Sequence, residues 1–547
     1  MARVPCVMLL ALGRMPPAFA GDFAPGWNGM ATTPPLGWRS WNAFGPDINA
    51  SIISASMAAL VRRHWKVGNR TVSLADIGYR DFGIDEGWED CKRGVQGSQH
   101  DSVGNPVVNT SRFPDLRALV AEGHSEGLRM GWYLAGCACG ETSEKLINYE
   151  GDVRQLSELG FDAVKLDNCG RMKNLTLYAT LMKQTGKNYT IENCHWGQCW
   201  AQDGDPDASG CPSVDWCPFN LYRSSPDIGA PRFSWVRNLQ TLIRFQDLHR
   251  PLSRPGCWAY PDMLEVGLVD GPRAWSQAHF GAWCVTSSPL VLGLDLTDTR
   301  LVSNVLSIIA NEEAIAVNQA WAGHPGRLVR GFGQEGKYVV GDYCTSAAAS
   351  SQLGWSYDAA AKAVRGPGGC LDLRAPTGDP DGQPQLRLCD GSEGQQFDYD
   401  AASQVLRNGR QCLALSTWWG NNIYFADCGP SSERISFGAE GRVTFNSQPA
   451  PLCFQVNPSP EYGFLVQVWA KPLPEGALAV FLLNQNTTSE EVSLDLPAMG
   501  APGKRQARDV WAHADMGPAT GSVEVIVPGM GSRFLVFSRA SDLAVVV

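Results

Sequence analysis

Two hydrophobic patterns divide the chain, and the first extends over residues 33–326. Short apolar runs there alternate with segments such as 116–126 and 152–159, in which apolar residues recur every three or four positions, as in amphipathic helices. The runs are predicted strands at 82–85, 128–134, 163–167, 189–192, 219–223 and 289–294. Strands that alternate with helices indicate a parallel sheet with helical crossovers. The length of the region favours an α/β fold, a (β/α)8 TIM barrel.

The second pattern is an internal repeat followed by a change of period. Units that start at Trp355, Phe397 and Phe437 are 42 and 40 residues apart. Repeats of fixed period encode equivalent units, so we expect a three-fold all-β module at 345–460. Beyond it, residues 463–540 alternate apolar and polar positions, which predicts an antiparallel β-sandwich. Residues 327–343 are a candidate for its first strand.

The first 20 residues have the composition of a signal peptide. Arg3 precedes an apolar stretch at 4–12, and small residues at 18–20 suit cleavage. Removing this leader, which contains Cys6, leaves 16 of the 17 cysteines, an even number that suits disulfides in an oxidising compartment. Six glycosylation sequons, starting at 49, 69, 109, 174, 188 and 486, agree with secretion. We expect the protein outside the cell or in the lumen of a lysosome or vacuole.

The cysteine spacing favours disulfide bonds over a zinc site, because thiols of a secreted chain are normally oxidised. Unit three of the repeat lacks a second cysteine, and Cys344 at the other end of the module is a candidate partner for Cys453. The first two units can each form a local bridge, namely Cys370–Cys389 and Cys412–Cys428.

Charge and motif content exclude several partners. The net charge is −10 and no run of Lys or Arg occurs, which argues against nucleic-acid binding, since that affinity comes from basic side chains. After the leader, no apolar stretch reaches the roughly 20 residues that cross a membrane. The chain also has no phosphate-binding loop and no Gly-x-Ser-x-Gly nucleophile motif. No metal or organic cofactor is expected.

Carboxylates mark one end of the predicted barrel. Asp85, Asp167 and Glu192 lie at or near strand ends, and Asp227 and Asp262 follow soon after strands. The carboxyl ends of barrel strands form one rim, where active sites are built. The alternative, that these acids cap helices or pair with arginines, suits single residues better than the whole set. Aromatic residues on the same rim favour a sugar ligand: Trp38, Trp41, Trp88, Tyr133, Trp196, Trp258 and Tyr260.

Two of the acids suit the two roles of a retaining glycosidase, which needs one ionised nucleophile and one proton donor. Lys165 lies two residues before Asp167 on the same strand face, and a nearby cation favours the ionised carboxylate. Asp167 is therefore the predicted nucleophile. Asp227 lies in a loop after Pro226, where a leaving group can approach it, and is the predicted acid/base.

An ordered set of motifs resembles glycoside hydrolase family 27, the α-galactosidase and α-N-acetylgalactosaminidase family. These motifs are PLGWRSWN at 35–42, GIDEGW at 83–88, GWY at 131–133, VKLDNC at 164–169, RSSPDI at 223–228, PDML at 261–264, SPL at 288–290 and VNQ at 317–319. The resemblance implies a (β/α)8 barrel followed by a β-sandwich, and a retaining mechanism. The three repeats resemble a ricin-type β-trefoil lectin, which the family core does not require.

The resemblance also assigns roles to residues of this chain. Asp167 matches the nucleophile, and Asp227 matches the acid/base. Cys169 resembles one half of a disulfide beside the site, with Cys137 or Cys139 as its partner. The remaining matches are substrate-binding: Asp85 for O4 and O6, Lys165 beside the nucleophile, Arg223 and Asp262 around O2 and O3, Trp41 for stacking, and Tyr133 in the pocket wall.

Three positions bear on specificity. Glu86 stands where most members have Asp, and by resemblance members with Glu favour β-L-arabinopyranose, which lacks the C6 hydroxymethyl group. His195 stands where α-galactosidases commonly have a Glu that contacts O2; it is either a substrate-binding or a structural histidine. Asp372 stands where ricin-type units place a sugar-binding acid, while the other two units have Ala414 and Gln455. The module is either a lectin or a spacer.

The sequence therefore predicts a secreted retaining exo-α-galactosidase whose partners are α-galactosides. A β-L-arabinopyranosidase and an α-N-acetylgalactosaminidase are alternatives on the same scaffold. A non-catalytic glycan-binding protein is the alternative from another class. The sequence is compatible with a homodimer as well as with a monomer.

Overall fold

The computed structural model describes most of the chain, and the predicted leader at 1–20 lies outside the described part. Described residues are 22–95, 98–136, 138–141, 143–197, 210–246, 251–332, 337–344, 353–367, 369–373, 384–416, 422–430, 432–439, 441–446, 452–456 and 464–539. Three regions follow one another along them: a barrel of alternating strands and helices, a repeated β-module and a C-terminal β-domain.

The barrel strands confirm the parallel sheet. They are β1 (Leu36–Arg39), β2 (Trp65–Val67), β3 (Arg70–Val72), β4 (Asp81–Gly83), β5 (Arg129–Gly136), β6 (Ala163–Gly170), β7 (Thr190–Cys194), β8 (Leu221–Arg223), β9 (Trp258–Tyr260) and β10 (Leu290–Leu292). Apart from the hairpin of β2 and β3, they form one parallel sheet in the order β10-β1-β4-β5-β6-β7-β8-β9. A parallel bridge between Leu264 and Leu292 brings its two edges together.

The helices lie between these strands, as the apolar spacing predicts. They are α1 (Trp41–Phe44), α2 (Ala50–Val61), α3 (Leu74–Ile77), α4 (Leu116–Ser125), α5 (Leu146–Leu159), α6 (Leu175–Gln184), α7 (Ser234–Gln240), α8 (Arg273–Val285), α9 (Thr299–Ile309) and α10 (Glu312–Gln319). Side-chain caps fix several starts: Asp115 accepts from the Ala118 amide and Asn311 from the Ala314 amide.

The repeated β-module lies between two strands that are neighbours in another sheet. Its strands are β12 (Lys337–Tyr343), β13 (Ser356–Asp358), β14 (Ala363–Gly366), β15 (Gly369–Asp372), β16 (Gln385–Arg387), β17 (Asp398–Asp400), β18 (Val405–Asn408), β19 (Gln411–Ser416), β20 (Asn422–Asp427), β21 (Ile435–Phe437), β22 (Val443–Phe445) and β23 (Leu452–Val456). Units one and two each supply four strands, and β12 pairs with β23 to complete unit three. Trp355, Phe397 and Phe454 lie in its shared core.

The C-terminal domain confirms the antiparallel β-fold. Its strands are β11 (Arg327–Phe332), β24 (Val466–Pro472), β25 (Leu478–Asn484), β26 (Glu490–Asp495), β27 (Arg505–Asp509), β28 (Ala514–Ala519), β29 (Ser522–Val527) and β30 (Gly531–Arg539). One sheet has the order β11-β24-β25-β30-β27-β28, and β26 pairs with β29. Of the candidate strand at 327–343, only Arg327–Phe332 joins this sheet, while Lys337–Tyr343 pairs within the repeated module.

The barrel and the C-terminal domain share one apolar core. Phe481 and Phe534 of the sheet pack in the same buried cluster as Trp283 of α8. Gly281, also in α8, has no room for a side chain, because an added Cβ would lie 2.5 Å from the Phe481 ring and 2.7 Å from Trp511. The missing side chain lets helix and sheet approach closely.

The disulfides confirm three predicted bridges and exclude one of the two alternatives for a fourth. Cys370–Cys389, Cys412–Cys428 and Cys344–Cys453 form as expected. Cys139 is bonded to Cys91, so Cys139 as the partner of Cys169 is wrong. Cys169 is itself disulfide-bonded, and the alternative partner Cys137 lies outside the described residues. Spacing along the chain could not separate two cysteines that are two residues apart.

Candidate active site

A cavity of about 220 Å³ opens at the carboxyl ends of the barrel strands. Both predicted catalytic acids line it. The side chains around it come from seven of the eight strands of the sheet or from the loops after them: Arg39, Trp41, Asn42, Asp85, Glu86, Tyr133, Lys165, Asp167, Cys169, Glu192, Trp196, Arg223, Asp227, Ile228, Tyr260, Asp262 and Met263.

Asp167 and Asp227 differ in environment. Asp167 lies on β6 and accepts a hydrogen bond from Tyr133 Oη at 2.9 Å. Burial raises the pKa of the Asp167 carboxyl, and the nearby Lys165 ammonium offsets this only in part. Asp227 follows β8, and its side chain is 64% exposed. The Arg223 guanidinium, 2.8 Å away, outweighs the partial desolvation of the Asp227 carboxyl beside the cavity and holds its pKa below the usual value.

Lys165 forms its ion pair with Asp85, which follows another strand, β4. Its Nζ donates to Asp85 Oδ2 at 3.0 Å and also lies over the Tyr133 ring, 5.0 Å from the centroid. Arg39 Nη1 lies 3.4 Å from the same oxygen. Burial alone would raise the pKa of the Asp85 carboxyl, but the two cations lower it. Asp85 is therefore held ionised in the wall of the cavity.

Arg223 and Asp262 form a second buried pair, with 2.9 Å between Arg223 Nη2 and Asp262 Oδ2. Asp262 also accepts from the backbone amides of Ile228 and Met263, each at 2.8 Å. Its φ of +82° lies in the left-handed region that residues other than Gly disfavour. The ion pair and two amide hydrogen bonds hold this strained conformation in place, a feature common at functional sites.

Comparison with known proteins places these residues in a family. Residues 33–320, more than half of the chain, match the family model described as alpha galactosidase A, and residues 464–537 match the alpha galactosidase C-terminal beta sandwich domain. The chain belongs to this α-galactosidase family. The two matched segments flank the repeated β-module.

Individual relatives agree with the family assignment. Alpha-galactosidase 2 of Arabidopsis thaliana is 31% identical over 317 residues, which span 55% of this chain and 71% of that protein. The solved structure of α-galactosidase I from Mortierella vinacea has a TM-score of 0.56 at 18% identity and covers 94% of this chain and 99% of its own. A family 27 β-L-arabinopyranosidase from Geobacillus stearothermophilus also has a TM-score of 0.56, at 13% identity, with coverages of 93% and 97%. These two structures share the fold.

Two of the predicted specificity positions of this α-galactosidase-family chain lie in different places. Glu86 lines the cavity beside Asp85, and burial together with the Asp85 and Asp167 charges raises the pKa of its carboxyl. His195 does not line the cavity. It is fully buried, with Nε2 3.4 Å from Cys211 Sγ and Nδ1 3.4 Å from the Asn193 carbonyl oxygen. The next residue, Trp196, lines the cavity instead.

The structure adds side chains that the predicted site residues did not include. Arg39 and Glu192 form an ion pair in the cavity wall. Glu192 was visible as a strand-end acid, and Arg39 lies inside the motif that also contains Trp41. Tyr260 lines the cavity as well, and its buried hydroxyl has no hydrogen-bond partner among the residues that the structure describes. Pairing across a barrel was not readable from the sequence, because the partners lie on strands far apart along the chain.

Outside the barrel, Asp372 is fully buried and accepts a hydrogen bond from Gln395 Nε2 at 2.9 Å. Its predicted lectin role stays a prediction. Among the described residues, no group of His, Cys, Asp and Glu has the arrangement of a metal site. No helix in that part of the chain has both the length and the apolar character of a membrane span.

Proposed function

We propose that this chain is a retaining glycoside hydrolase that removes terminal α-linked galactosyl residues. The observation that carries the proposal is that Asp167 and Asp227, from different strands, line one cavity together with Asp85, Lys165 and Arg223. Membership of the α-galactosidase family supports the same activity. The small cavity at the end of the barrel suits a single terminal sugar.

The reaction follows a double displacement. Asp167 attacks the anomeric carbon while Asp227 donates a proton to the leaving glycosidic oxygen. Asp227 then removes a proton from the water that hydrolyses the glycosyl-enzyme. A bound sugar that takes Arg223 as a hydrogen-bond donor weakens the pair of Arg223 with Asp227. The pKa of the Asp227 carboxyl then rises, in the direction that proton donation requires.

The sugar is recognised by charged groups on several strands. Asp85, held between two cations, accepts hydrogen bonds from O4 and O6 of galactose. Arg223 and Asp262 contact O2 and O3, and Trp41 stacks on the apolar face of the ring. In this proposal His195 is structural, because it is fully buried and does not line the cavity. The contact with O2 is left to Arg223.

A second candidate is β-L-arabinopyranosidase activity, which Glu86 favours. Its side chain is one methylene longer than Asp and lies in the cavity wall, where it would occupy the space of the C6 hydroxymethyl group. One methylene changes selectivity by about 1–3 kcal/mol, so the two sugars are close competitors.

A side-by-side assay tests the proposal. Purified protein is given aryl α-galactoside, aryl β-L-arabinopyranoside and aryl α-N-acetylgalactosaminide at equal concentrations. We expect the highest kcat/KM on the α-galactoside. A preference for the arabinopyranoside or the acetamido sugar assigns the alternative activity. Binding to immobilised galactose without hydrolysis of any of the three contradicts an enzyme and favours a glycan-binding protein.

The proposal extends to the repeated module and to location. The module is a ricin-type β-trefoil, and Asp372 marks its one sugar-binding unit. In the test of this role, Asp372→Ala should lose retention on galactose-agarose while its hydrolytic activity stays unchanged.

The disulfides support secretion or a vacuolar location, and recovery of active protein from the medium of expressing cells tests this location. Light scattering of the purified chain distinguishes a monomer from a homodimer.

A further inference from the structure

A chain of alternating charges crosses the barrel at the base of the cavity. Arg39 lies at the end of β1, and its Nη2 contacts Glu192 Oε2 on β7 at 2.5 Å. Its Nη1 lies 3.4 Å from Asp85 Oδ2, the same oxygen that Lys165 contacts at 3.0 Å. The order of charges is therefore Glu192, Arg39, Asp85, Lys165.

The members of this chain are buried together. The side chains of Asp85 and Glu192 are 1% and 3% exposed, and that of Arg39 is 12% exposed. Strands β1 and β7 are not neighbours in the sheet, so the guanidinium spans the interior of the barrel. Burying four charges in one layer is costly unless each has an opposite charge beside it. Each does, and all four side chains line the cavity.

Arg39 has a specific effect on Asp85. Asp85 Oδ1 accepts the Glu86 amide at 2.9 Å, while Oδ2 contacts the two cations. This arrangement fixes the rotation of the carboxylate in the cavity wall. If Lys165 were the only cation on Oδ2, the Asp85 carboxylate could rotate to follow the Lys165 ammonium. The Arg39 guanidinium, itself held by Glu192, is a second cation on the same oxygen and restricts that rotation.

We propose that Arg39 and Glu192 are positioning residues that hold Asp85 in its sugar-binding orientation, and that they thereby set selectivity for the part of the sugar that Asp85 contacts. This inference rests on the proposed function, in which Asp85 accepts hydrogen bonds from O4 and O6. Neither residue takes part in proton transfer or in nucleophilic attack. Their effect acts through Asp85.

The test compares Arg39→Met, Arg39→Lys and Glu192→Gln on two substrates. Aryl α-galactoside carries the 6-hydroxyl, and aryl 6-deoxy-α-galactoside lacks it. We expect Arg39→Met to lower kcat/KM on the galactoside about 10- to 100-fold, as loss of a charged hydrogen bond does, mainly by raising KM. The loss on the 6-deoxy substrate should be several-fold smaller. Arg39→Lys should restore part of the activity.

Two further variants separate positioning from folding. Glu192→Gln keeps the size of the side chain. It should show the same substrate-dependent loss of kcat/KM as Arg39→Met, but to a smaller extent. Arg129→Met removes an arginine that pairs with Asp81 outside the cavity; its kcat/KM should stay unchanged on both substrates. The double variant Arg39→Met/Glu192→Gln should be no worse than Arg39→Met, because the two residues act as one unit.

Equal losses on both substrates, or an Arg39→Lys variant as poor as Arg39→Met, would overturn the positioning role while leaving the proposed function intact. A wild-type protein that hydrolyses neither glycoside is a different failure, since it removes the proposed function itself.

Discussion

Lys165 Nζ donates a hydrogen bond to Asp85 Oδ2 at 3.0 Å, which joins the strand of the proposed nucleophile to the proposed sugar-binding carboxylate, on a loop two strands away in the sheet. One cation thereby serves two carboxylates. It pairs directly with Asp85 and lowers the pKa of Asp167 only through space, so burial of Asp167 prevails and its pKa is raised.

Replacement of the nucleophile should abolish turnover. We expect Asp167→Asn to lower kcat on aryl α-galactoside by about a thousandfold or more, as loss of a covalent catalyst does, since an amide cannot form the glycosyl-enzyme. Asp81→Asn is the matched control, because Asp81 starts β4 at the opposite end of the barrel and pairs with Arg129. Substantial residual activity in Asp167→Asn would contradict the assignment.

The pH profile should report on Asp227. Proton donation requires the protonated acid, so kcat/KM falls as pH rises through the pKa of the Asp227 carboxyl. Arg223 lowers that pKa, and we therefore expect an acidic optimum. Arg223→Met removes the cation, which should raise the pKa and move the alkaline limb of kcat/KM to higher pH, with a lower maximum. An alkaline limb that does not move would assign it to another group.

Glu86 should control the choice of sugar. Glu86→Asp shortens the side chain by one methylene in the cavity wall and opens space for the C6 hydroxymethyl group. We expect the ratio of kcat/KM for the α-galactoside to that for the β-L-arabinopyranoside to rise about tenfold, the effect of roughly 1.4 kcal/mol. The same two assays give this ratio for the wild type and for the variant. An unchanged or lower ratio would show that the residue does not face C6.

A buried histidine should make the stability of the folded protein fall as the pH is lowered. His279 is fully buried in α8 and accepts the Glu265 amide at Nε2, and burial lowers the pKa of His279 to about 3. In the unfolded chain the pKa is about 6.5, so below that pH the unfolded state binds the additional proton and the folded state loses stability.

His279→Gln removes this titration. The difference in unfolding free energy between wild type and variant should shift in favour of the variant by up to about 1.4 kcal/mol per pH unit below 6.5. Urea unfolding at pH 7, 6 and 5 measures it. Glu265, whose pKa burial raises to about 7, titrates in both proteins, so the comparison largely removes its contribution. A constant difference across that range would contradict the effect.

The contact between barrel and C-terminal sheet should not accept a side chain at Gly281. Gly281→Ala places a methyl group against the Phe481 and Trp511 rings. Overpacking costs about 1–3 kcal/mol, while Ala improves helix propensity by about 1 kcal/mol, so we expect a net lower melting temperature. Gln277→Ala, at a half-buried position of the same helix, is the control for substitution itself. An unchanged or higher melting temperature would show that the interface can adjust.

The sequence by itself determined the parallel sheet, the C-terminal antiparallel strands and the nine cavity-lining residues among the predicted site, because local apolar spacing and motif order depend on neighbours along the chain. It also paired Cys344 with Cys453, since the repeat left unit three without a partner. It did not find the bond between Cys91 and Cys139, nor the burial of His195 away from the cavity. From proximity on one strand, it also predicted that Lys165 acts on Asp167, whereas Lys165 donates its hydrogen bond to Asp85.

Only the tertiary structure decided which charges face each other. Arg39, Asp85 and Glu192 are 46 and 107 residues apart along the chain, and they meet because the barrel brings the ends of β1, β4 and β7 to one rim. The lowered pKa of the Asp85 carboxyl follows from that meeting, since opposite charges act over a few ångströms of space. Distance in space, unlike periodicity, is not encoded in any short stretch of sequence.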